Sequence, residues 1–237
     1  MMKLRPVAAA AAAALVALLP AACSKRETPV EFGDRTQTLQ LGNLTEPTDL
    51  DPQIINSQQD FNIVIALLEG LAQYDPKTCL PVPAVAERWE VSADNLTWTF
   101  HLRDTARWSN GDPVTAHDFV YAYQRGLSPG LAAEYAYMLF ALKNGEAYYE
   151  GKVKDFAEVG AKAADDHTLV LQLGHPVPYL PKLVCHSMWY PVHRATIEKF
   201  GKIDQRGTAW TRPGNYVGNG PFVLAERKPN QIIRVTK

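Results

Sequence analysis

The chain has 237 residues, of which 46% are hydrophobic, 10% aromatic and 21% charged, with 17 prolines and 15 glycines. This ordinary globular composition excludes a disordered, collagen-like or coiled-coil protein. The formal net charge of −1 excludes the basic footprint of a nucleic-acid-binding protein. The length allows one large domain or two small ones, with enough core to fold without disulfides or metals.

Residues 1–22 have the features of a secretory signal peptide. Lys3 and Arg5 give a positively charged start, and an unbroken apolar run occupies residues 7–19. The run is short and rich in alanine compared with a membrane-spanning helix, although an uncleaved anchor helix is the alternative. We therefore expect export from the cytoplasm and removal of residues 1–22.

The cysteine that follows this signal has a distinctive setting. Residues 19–24 read LPAACS, which resembles a bacterial lipobox, with Pro20 standing where leucine is usual. The resemblance predicts a periplasmic lipoprotein of the cell envelope, attached to a membrane by acyl chains on Cys23. The residue after the cysteine is Ser24 and not aspartate, and by the same resemblance this favours attachment to the outer membrane. Cleavage to a soluble periplasmic form is the alternative.

The next part of the chain is polar and contains few regular patterns. We predict a tether over residues 23–38, a short strand at residues 39–41, and a loop over residues 43–60 because prolines interrupt it. Apolar residues then recur at helical spacing over residues 61–68, and Gly70 stands where that helix would end.

The middle and end of the chain carry clearer signals. Residues 96–102 alternate apolar and polar side chains, which predicts a half-buried strand, and residues 168–173 predict a second one. Thr115 and Asp118 form a capping box at the start of a helix. Residues 220–235 predict a terminal hairpin. The elements do not alternate as regular βαβ units, so the fold class is mixed α/β or α+β.

No residue pattern indicates catalysis or metal binding. The six histidines are scattered, and neither a His-Glu-x-x-His nor a Cys-x-x-Cys motif occurs. The neighbouring pair Asp49 and Asp51 is better explained by turn capping than by acid–base chemistry. Cys79 and Cys185 either form a disulfide or are free and buried, and the sequence leaves both open. We predict no catalytic residue, no metal and no cofactor.

Several segments in collinear order resemble one protein family. The strongest are AVAERW at residues 84–89, LTWTFHLR at 96–103 and WSNGDPVTAHDF at 108–119. Flanking segments agree: EPTDLDP at 46–52, LEGL at 68–71, DDHTL at 165–169, PVPY at 176–179 and NGPF at 219–222. Together they resemble the family-5 extracellular solute-binding proteins, and among them the oligopeptide-binding lipoproteins of peptide ABC importers.

The resemblance implies a periplasmic-binding-protein fold of the type II clamshell kind. Residues 39–68 and 194–237 would form the first part of lobe I, and residues 69–193 an inserted domain that carries the family signature. Intact members are about twice as long, so the second lobe is expected to be missing here. Ligands in this family are enclosed by closure of two lobes, and we expect a fragment or disrupted product more than a one-lobed receptor.

The resemblance also suggests four ligand contacts. Asn56 stands where close relatives have an acidic contact, so its neutral amide puts recognition of a peptide amino terminus there in doubt. Ser57 and Gln58 are neighbours in the same segment. Tyr135 matches a cleft tyrosine that packs on bound peptide, although packing on a helix face would explain it equally well.

The function implied is a monomeric exported receptor that binds oligopeptides and delivers them to an inner-membrane ABC permease. The truncation could leave it unable to bind ligand. Two alternatives stay open. One is a family member for another ligand, such as a dipeptide, a murein peptide, or a nickel or haem complex. The other is a cell-envelope hydrolase whose site leaves no readable motif.

Overall fold

A computed structural model describes residues 27–237. The predicted signal peptide at residues 1–22 and the predicted lipidation site Cys23 lie outside the described residues. The chain divides into two units, Met1–Gly42 and Asn43–Lys237. Among the described residues, no helix has the length and apolar character needed to span a membrane.

The described part of the first unit contains a helix where we predicted only a tether. Helix α1 spans Pro29–Thr36 and has a capping box between Thr28 and Glu31. The Glu31 backbone N–H donates to Thr28 Oγ1 at 3.2 Å, and the Thr28 N–H donates to Glu31 Oε2 at 2.8 Å. These bonds satisfy N–H groups that a helix start leaves without partners, so the helix begins at Pro29.

The strand predicted at residues 39–41 is wrong. No described strand pairs with this segment, and Leu39 and Leu41 are 82% and 81% exposed. Apolar alternation favours a strand, but a strand is stable only when a neighbour takes up its backbone hydrogen bonds.

The second unit contains eight strands and five α-helices in its described residues. The strands are β1 Ala72–Tyr74, β2 Pro81–Pro83, β3 Ala86–Val91, β4 Thr97–Leu102, β5 Ala161–Asp165, β6 Thr168–Gln172, β7 Val223–Lys228 and β8 Ile232–Thr236. The helices are α2 Gln58–Leu67, α3 Ala116–Gly126, α4 Gly145–Tyr149, α5 Leu180–Leu183 and α6 Arg194–Phe200, with short 3₁₀ turns between several of them. This mixture confirms the mixed α/β prediction.

The largest sheet is antiparallel and has the order β3-β4-β6-β5. In β4, Trp98, Phe100 and Leu102 are buried and alternate with half-buried polar residues, as the sequence predicted. Trp98 lies opposite Leu171 and Phe100 opposite Leu169, so one face of the two inner strands is continuously apolar.

Helix α3 covers this sheet, packing against β5 and β6. Its start is the predicted capping box, in which the Thr115 N–H donates to Asp118 Oδ2 at 2.8 Å. Its inner face buries Phe119 and Tyr123. The Tyr123 ring meets Trp189 edge to face with centroids 5.2 Å apart, which joins the helix to the later part of the core.

A buried ion pair fixes the segment that leads into α2. Arg125 on α3 donates to both carboxylate oxygens of Asp51, at 2.8 and 2.5 Å, and to Gln53 Oε1 at 2.9 Å. Gln53 Nε2 in turn donates to the Tyr190 carbonyl at 3.1 Å. The segment around Asp51, predicted as a polar loop, is therefore buried and held rigidly, and α2 begins within the predicted loop, at Gln58.

Near its C-terminus, the chain packs against the end of α2. The Asn219 side chain accepts the Glu69 N–H at 3.0 Å and donates to the Glu69 carbonyl at 2.9 Å. Gly220 packs so closely that a Cβ there would lie 2.6 Å from the carbonyl carbon of Leu67. The predicted terminal hairpin follows as β7 and β8. The predicted division into residues 39–68 with 194–237 and an insert at 69–193 stays a prediction.

Candidate functional site

The four ligand-contact residues suggested by the sequence lie around one pocket. Asn56, Ser57 and Gln58 come from the start of α2, and Tyr135 comes from a distant part of the chain. The pocket has a volume of about 230 Å³, and we call it the Tyr135 pocket. Its walls are Ile55, Asn56, Ser57, Gln58, Phe61, Tyr74, Tyr135, Cys185, His186 and Ser187.

Asn56 is held at the mouth of the pocket by a residue that the sequence analysis missed. Its side-chain amide donates to Glu134 Oε2 at 2.8 Å. The Asn56 side chain is uncharged, but Glu134 therefore places a carboxylate beside it from another segment. The two residues are 78 positions apart, and no local pattern connects them.

Ser57 and Gln58 take part in the start of α2. Ser57 is its N-cap, and its Oγ accepts the Asp60 N–H at 3.2 Å. A serine hydroxyl can still donate its own proton in another direction. Gln58 donates to Asn62 Oδ1 at 2.9 Å, one helical turn further on. Of the two, Ser57 is better placed to contact a ligand.

Tyr135 packs within a group of rings. Its ring meets His186 edge to face with centroids 5.1 Å apart, and it meets Tyr137 in the same way at 6.0 Å. Its hydroxyl donates to the Asn56 carbonyl at 3.4 Å, which is a long hydrogen bond. Tyr135 precedes a 3₁₀ turn at Ala136–Ala141, so packing on a regular helix face does not describe its position.

His186 lines the pocket and was not predicted from the sequence, where it is one of six scattered histidines. Its Nδ1 accepts the Met188 N–H at 3.2 Å, so in the neutral ring the proton is on Nε2. Burial lowers the pKa of His186 below its usual 6.5, which keeps the ring neutral at pH 7. The Nε2 proton of a neutral imidazole can be donated to an uncharged acceptor such as a peptide carbonyl.

The remaining wall is neutral as well. Burial raises the pKa of the Cys185 thiol to about 11, and that thiol donates to the Pro181 carbonyl at 3.2 Å. Burial also raises the pKa of Tyr74. Cys185 is buried and free, whereas Cys79 is free and exposed, so the disulfide alternative is wrong. The pocket walls contain no aspartate, glutamate, lysine or arginine.

The pocket is suited to binding a ligand that has uncharged polar groups. Its polar groups are amides, hydroxyls and one neutral imidazole, which match uncharged donors and acceptors. Its rings offer apolar contact area. Within residues 27–237, no group of three or more histidine, cysteine, aspartate or glutamate side chains could hold a metal ion.

Comparison with known proteins agrees with the resemblance. The profile of the family described as "Bacterial extracellular solute-binding proteins, family 5 Middle" matches residues 81–237. The chain belongs to this family. The match includes Tyr135 and His186 and leaves Asn56, Ser57 and Gln58 before it.

Three similar proteins illustrate the relationship. The "Periplasmic oligopeptide-binding protein OppA" of Escherichia coli is 42% identical over 229 residues, which are 96% of this chain and 40% of the relative. The "Periplasmic murein peptide-binding protein MppA" of the same species is 39% identical over 192 residues, 80% of this chain and 34% of the relative. The crystal structure of Haemophilus influenzae OppA in complex with RPPGFSPFR matches 81% of this chain and 36% of its own, with a TM-score of 0.75 and 42% identity.

These matches confirm the periplasmic-binding-protein fold. The chain spans about 34–40% of the length of the relatives named here.

Proposed function

We propose that this protein is an exported receptor that binds oligopeptides for an ABC importer. The observation that carries the proposal is the convergence of Asn56, Ser57, Gln58 and Tyr135 on one pocket. Asn56 and Tyr135 are 79 positions apart, and only the fold brings them together. Membership of the solute-binding family and similarity to oligopeptide-binding proteins support the same ligand class.

The chemistry of the pocket favours a peptide main chain over a charged small molecule. An extended peptide presents alternating N–H and C=O groups, and neutral amides, hydroxyls and an imidazole can pair with them without selecting a sequence. Glu134, which is bonded to Asn56, supplies a negative charge beside the pocket, and this charge suits the amino terminus of a peptide. The net charge of −1 fits uptake of peptides of varied charge.

The proposal extends to the protein's surroundings. Removal of residues 1–22 and acylation of Cys23 would place a lipoprotein in the periplasm, attached to a membrane. Its partners would be the peptide ligand and an inner-membrane ABC permease, with no nucleic acid, metal or cofactor. We propose a monomer, which is all that a delivery role requires.

A second ligand class has a specific observation in its favour. The similarity to a murein peptide-binding protein, at 39% identity, is close to the similarity to OppA. Murein peptides also present amide N–H and C=O groups, which the Tyr135 pocket would bind. A dipeptide stands on the same footing, since the "Dipeptide-binding protein DppE" of Bacillus subtilis is also 39% identical. A nickel or haem complex and turnover by a cell-envelope hydrolase are weaker alternatives because the pocket walls lack charged groups.

The proposal can be tested by isothermal titration calorimetry on the protein in the form that its own cells produce. The probes are trialanine, pentaalanine, and a murein tripeptide. We expect saturable binding of at least one alanine peptide without hydrolysis, which chromatography of the recovered peptide would establish. Absence of binding to all three probes, or cleavage of the peptides, would overturn the proposal. If only the murein tripeptide binds tightly, the ligand class is murein peptides instead of oligopeptides.

A further inference from the structure

A second and larger pocket lies in the same unit. It has a volume of about 570 Å³, against about 230 Å³ for the Tyr135 pocket, and we call it the Tyr137 pocket. It is formed by the 3₁₀ turn Ala136–Ala141, helix α4, the residues before α5 and the end of α5. The two pockets have no lining residue in common.

The Tyr137 pocket is apolar at its base. Ala141, Leu142 and Val177 line it and are buried at 9%, 1% and 1% exposure. At its rim stand two tyrosine rings, Tyr137 and Tyr179, that are 56% and 55% exposed. Two exposed rings above an apolar base form a surface that water solvates poorly, and such a surface favours an apolar occupant.

The two pockets are adjacent along two separate walls. On one wall, the rings of Tyr135 and Tyr137 are 6.0 Å apart, and each lines a different pocket. On the other wall, the His186 N–H donates to the Leu183 carbonyl at 2.9 Å, and again each residue lines a different pocket. Because the walls adjoin at these two places, the Tyr137 pocket lies within reach of a side chain of a peptide that is bound in the Tyr135 pocket.

We propose that the Tyr137 pocket is a second subsite, which takes a large apolar side chain of a peptide whose main chain is bound in the Tyr135 pocket. The proposal rests on the proposed function, because it needs a peptide in the first pocket. It adds a preference: the protein selects peptides that carry an aromatic or large aliphatic residue at one position. Tyr137 and Tyr179 are the residues that determine this preference.

The remaining polar side chains of the pocket agree with an apolar occupant. Glu146 and His175 line the pocket but are exposed, so solvent can hydrate their polar groups. Asn144 also lines the pocket, and its side-chain amide donates to the Glu158 carbonyl at 2.9 Å. The buried base has no charged side chain to pair with a lysine or aspartate of the ligand. A charged peptide side chain would lose hydration there without compensation.

The test uses alanine pentapeptides in which one residue is replaced, at each position in turn, by phenylalanine or by glutamine. Calorimetry measures the binding of each peptide to the protein in the form that its own cells produce. At one position, the peptide with phenylalanine should bind about tenfold more tightly than the peptide with glutamine, because burial of an aromatic side chain is favourable. In the double variant Tyr137→Ala with Tyr179→Ala, this ratio should fall to within about twofold.

The matched control is the double variant Tyr137→Phe with Tyr179→Phe, which keeps both rings and should keep the ratio. Both tyrosines are exposed, so a melting curve should show that the variants remain folded. Binding of pentaalanine with no position that distinguishes phenylalanine from glutamine would overturn this inference and leave the proposed function standing. A ratio that survives the alanine variant would also overturn it. Absence of binding to every peptide would overturn both.

Discussion

The ring of Tyr135 is half-buried at the edge of the core and forms part of the Tyr135 pocket, where it contacts the rings of His186 and Tyr137. Removal of the ring should therefore affect a ligand more than the fold. We expect Tyr135→Ala to weaken alanine-peptide binding by about tenfold, since an aromatic contact is worth about 1–2 kcal/mol. Calorimetry gives the affinity, and the melting temperature should fall by less than about 3 °C.

Tyr135→Phe separates the ring from the hydroxyl. The hydroxyl makes only a long bond of 3.4 Å to the Asn56 carbonyl, so the phenylalanine variant should bind peptide nearly as well as the parent protein. If Tyr135→Ala lowers stability and affinity in proportion, the ring is a packing element, and its assignment to the ligand site is wrong.

His186 predicts a pH dependence of stability. Burial lowers its pKa in the folded state below 6.5, so between the two values the unfolded chain binds more protons than the folded one. The free energy of unfolding therefore includes a contribution that is complete above pH 6.5, is lost as the pH falls towards the folded-state pKa, and levels off below it. Protonation would also remove the Nδ1 lone pair that accepts the Met188 N–H.

His186→Gln isolates this contribution because glutamine is neutral at every pH of interest. Urea unfolding between pH 7.5 and pH 5 should give a flatter decline of stability for the variant than for the parent protein. Above pH 7 the two slopes should coincide. Parallel curves over the whole range would contradict the assignment of a neutral, buried His186.

Between elements, the ion pair of Arg125 and Asp51 connects α3 to the segment that presents Asn56. Arg125 is fully buried, and Asp51 is 2% exposed. Arg125→Ala would leave a carboxylate buried without its partner, which costs about 3–5 kcal/mol. We expect this loss in urea unfolding, together with weaker peptide binding, because the segment before α2 would lose its anchor.

The paired replacement Arg125→Met with Asp51→Leu provides the comparison. Replacement of both charges by apolar side chains of similar size avoids an unpaired charge, so it should cost less than Arg125→Ala alone. An Arg125→Ala variant with parent-like stability would mean that Asp51 reaches solvent, contrary to the packing described here.

Within the sheet, Trp98 occupies an inner strand and is 5% exposed. Trp98→Ala should lower the free energy of unfolding by about 3–5 kcal/mol as a core deletion. The indole N–H has no hydrogen-bond partner within the described residues, so Trp98→Phe removes an unsatisfied donor and should cost much less. A cost below about 1 kcal/mol for Trp98→Ala would contradict the buried position of β4.

The elements that the sequence predicted well have a strong local cause. Strand β4 follows from its alternation, and α3 begins at Thr115 and Asp118 because their side chains and backbone bond each other. Helix α1 has the same kind of signature in Thr28 and Glu31, which could have been recognised and was not. The strand expected at residues 39–41 failed because pairing depends on a neighbour, and no local pattern encodes a neighbour.

In the whole molecule, the site was only partly predictable. Family resemblance located Asn56 and Tyr135, and the fold brings both to one pocket. His186, which lines the pocket, and Glu134, which bonds to Asn56, were missed because tertiary packing places them there and no spacing in the sequence encodes that packing. The Tyr137 pocket was missed for the same reason, since its lining residues belong to several short elements.

The central claim is that this member of the solute-binding family holds peptides. Native mass spectrometry of the protein taken from its own cell envelope tests it most directly, with unfolding in the instrument to release any bound molecules. We predict a folded species whose released molecules are short peptides, enriched in those with a large apolar residue. A species that releases no peptide, and that takes none up from an added mixture of tri- to pentapeptides, would contradict the account.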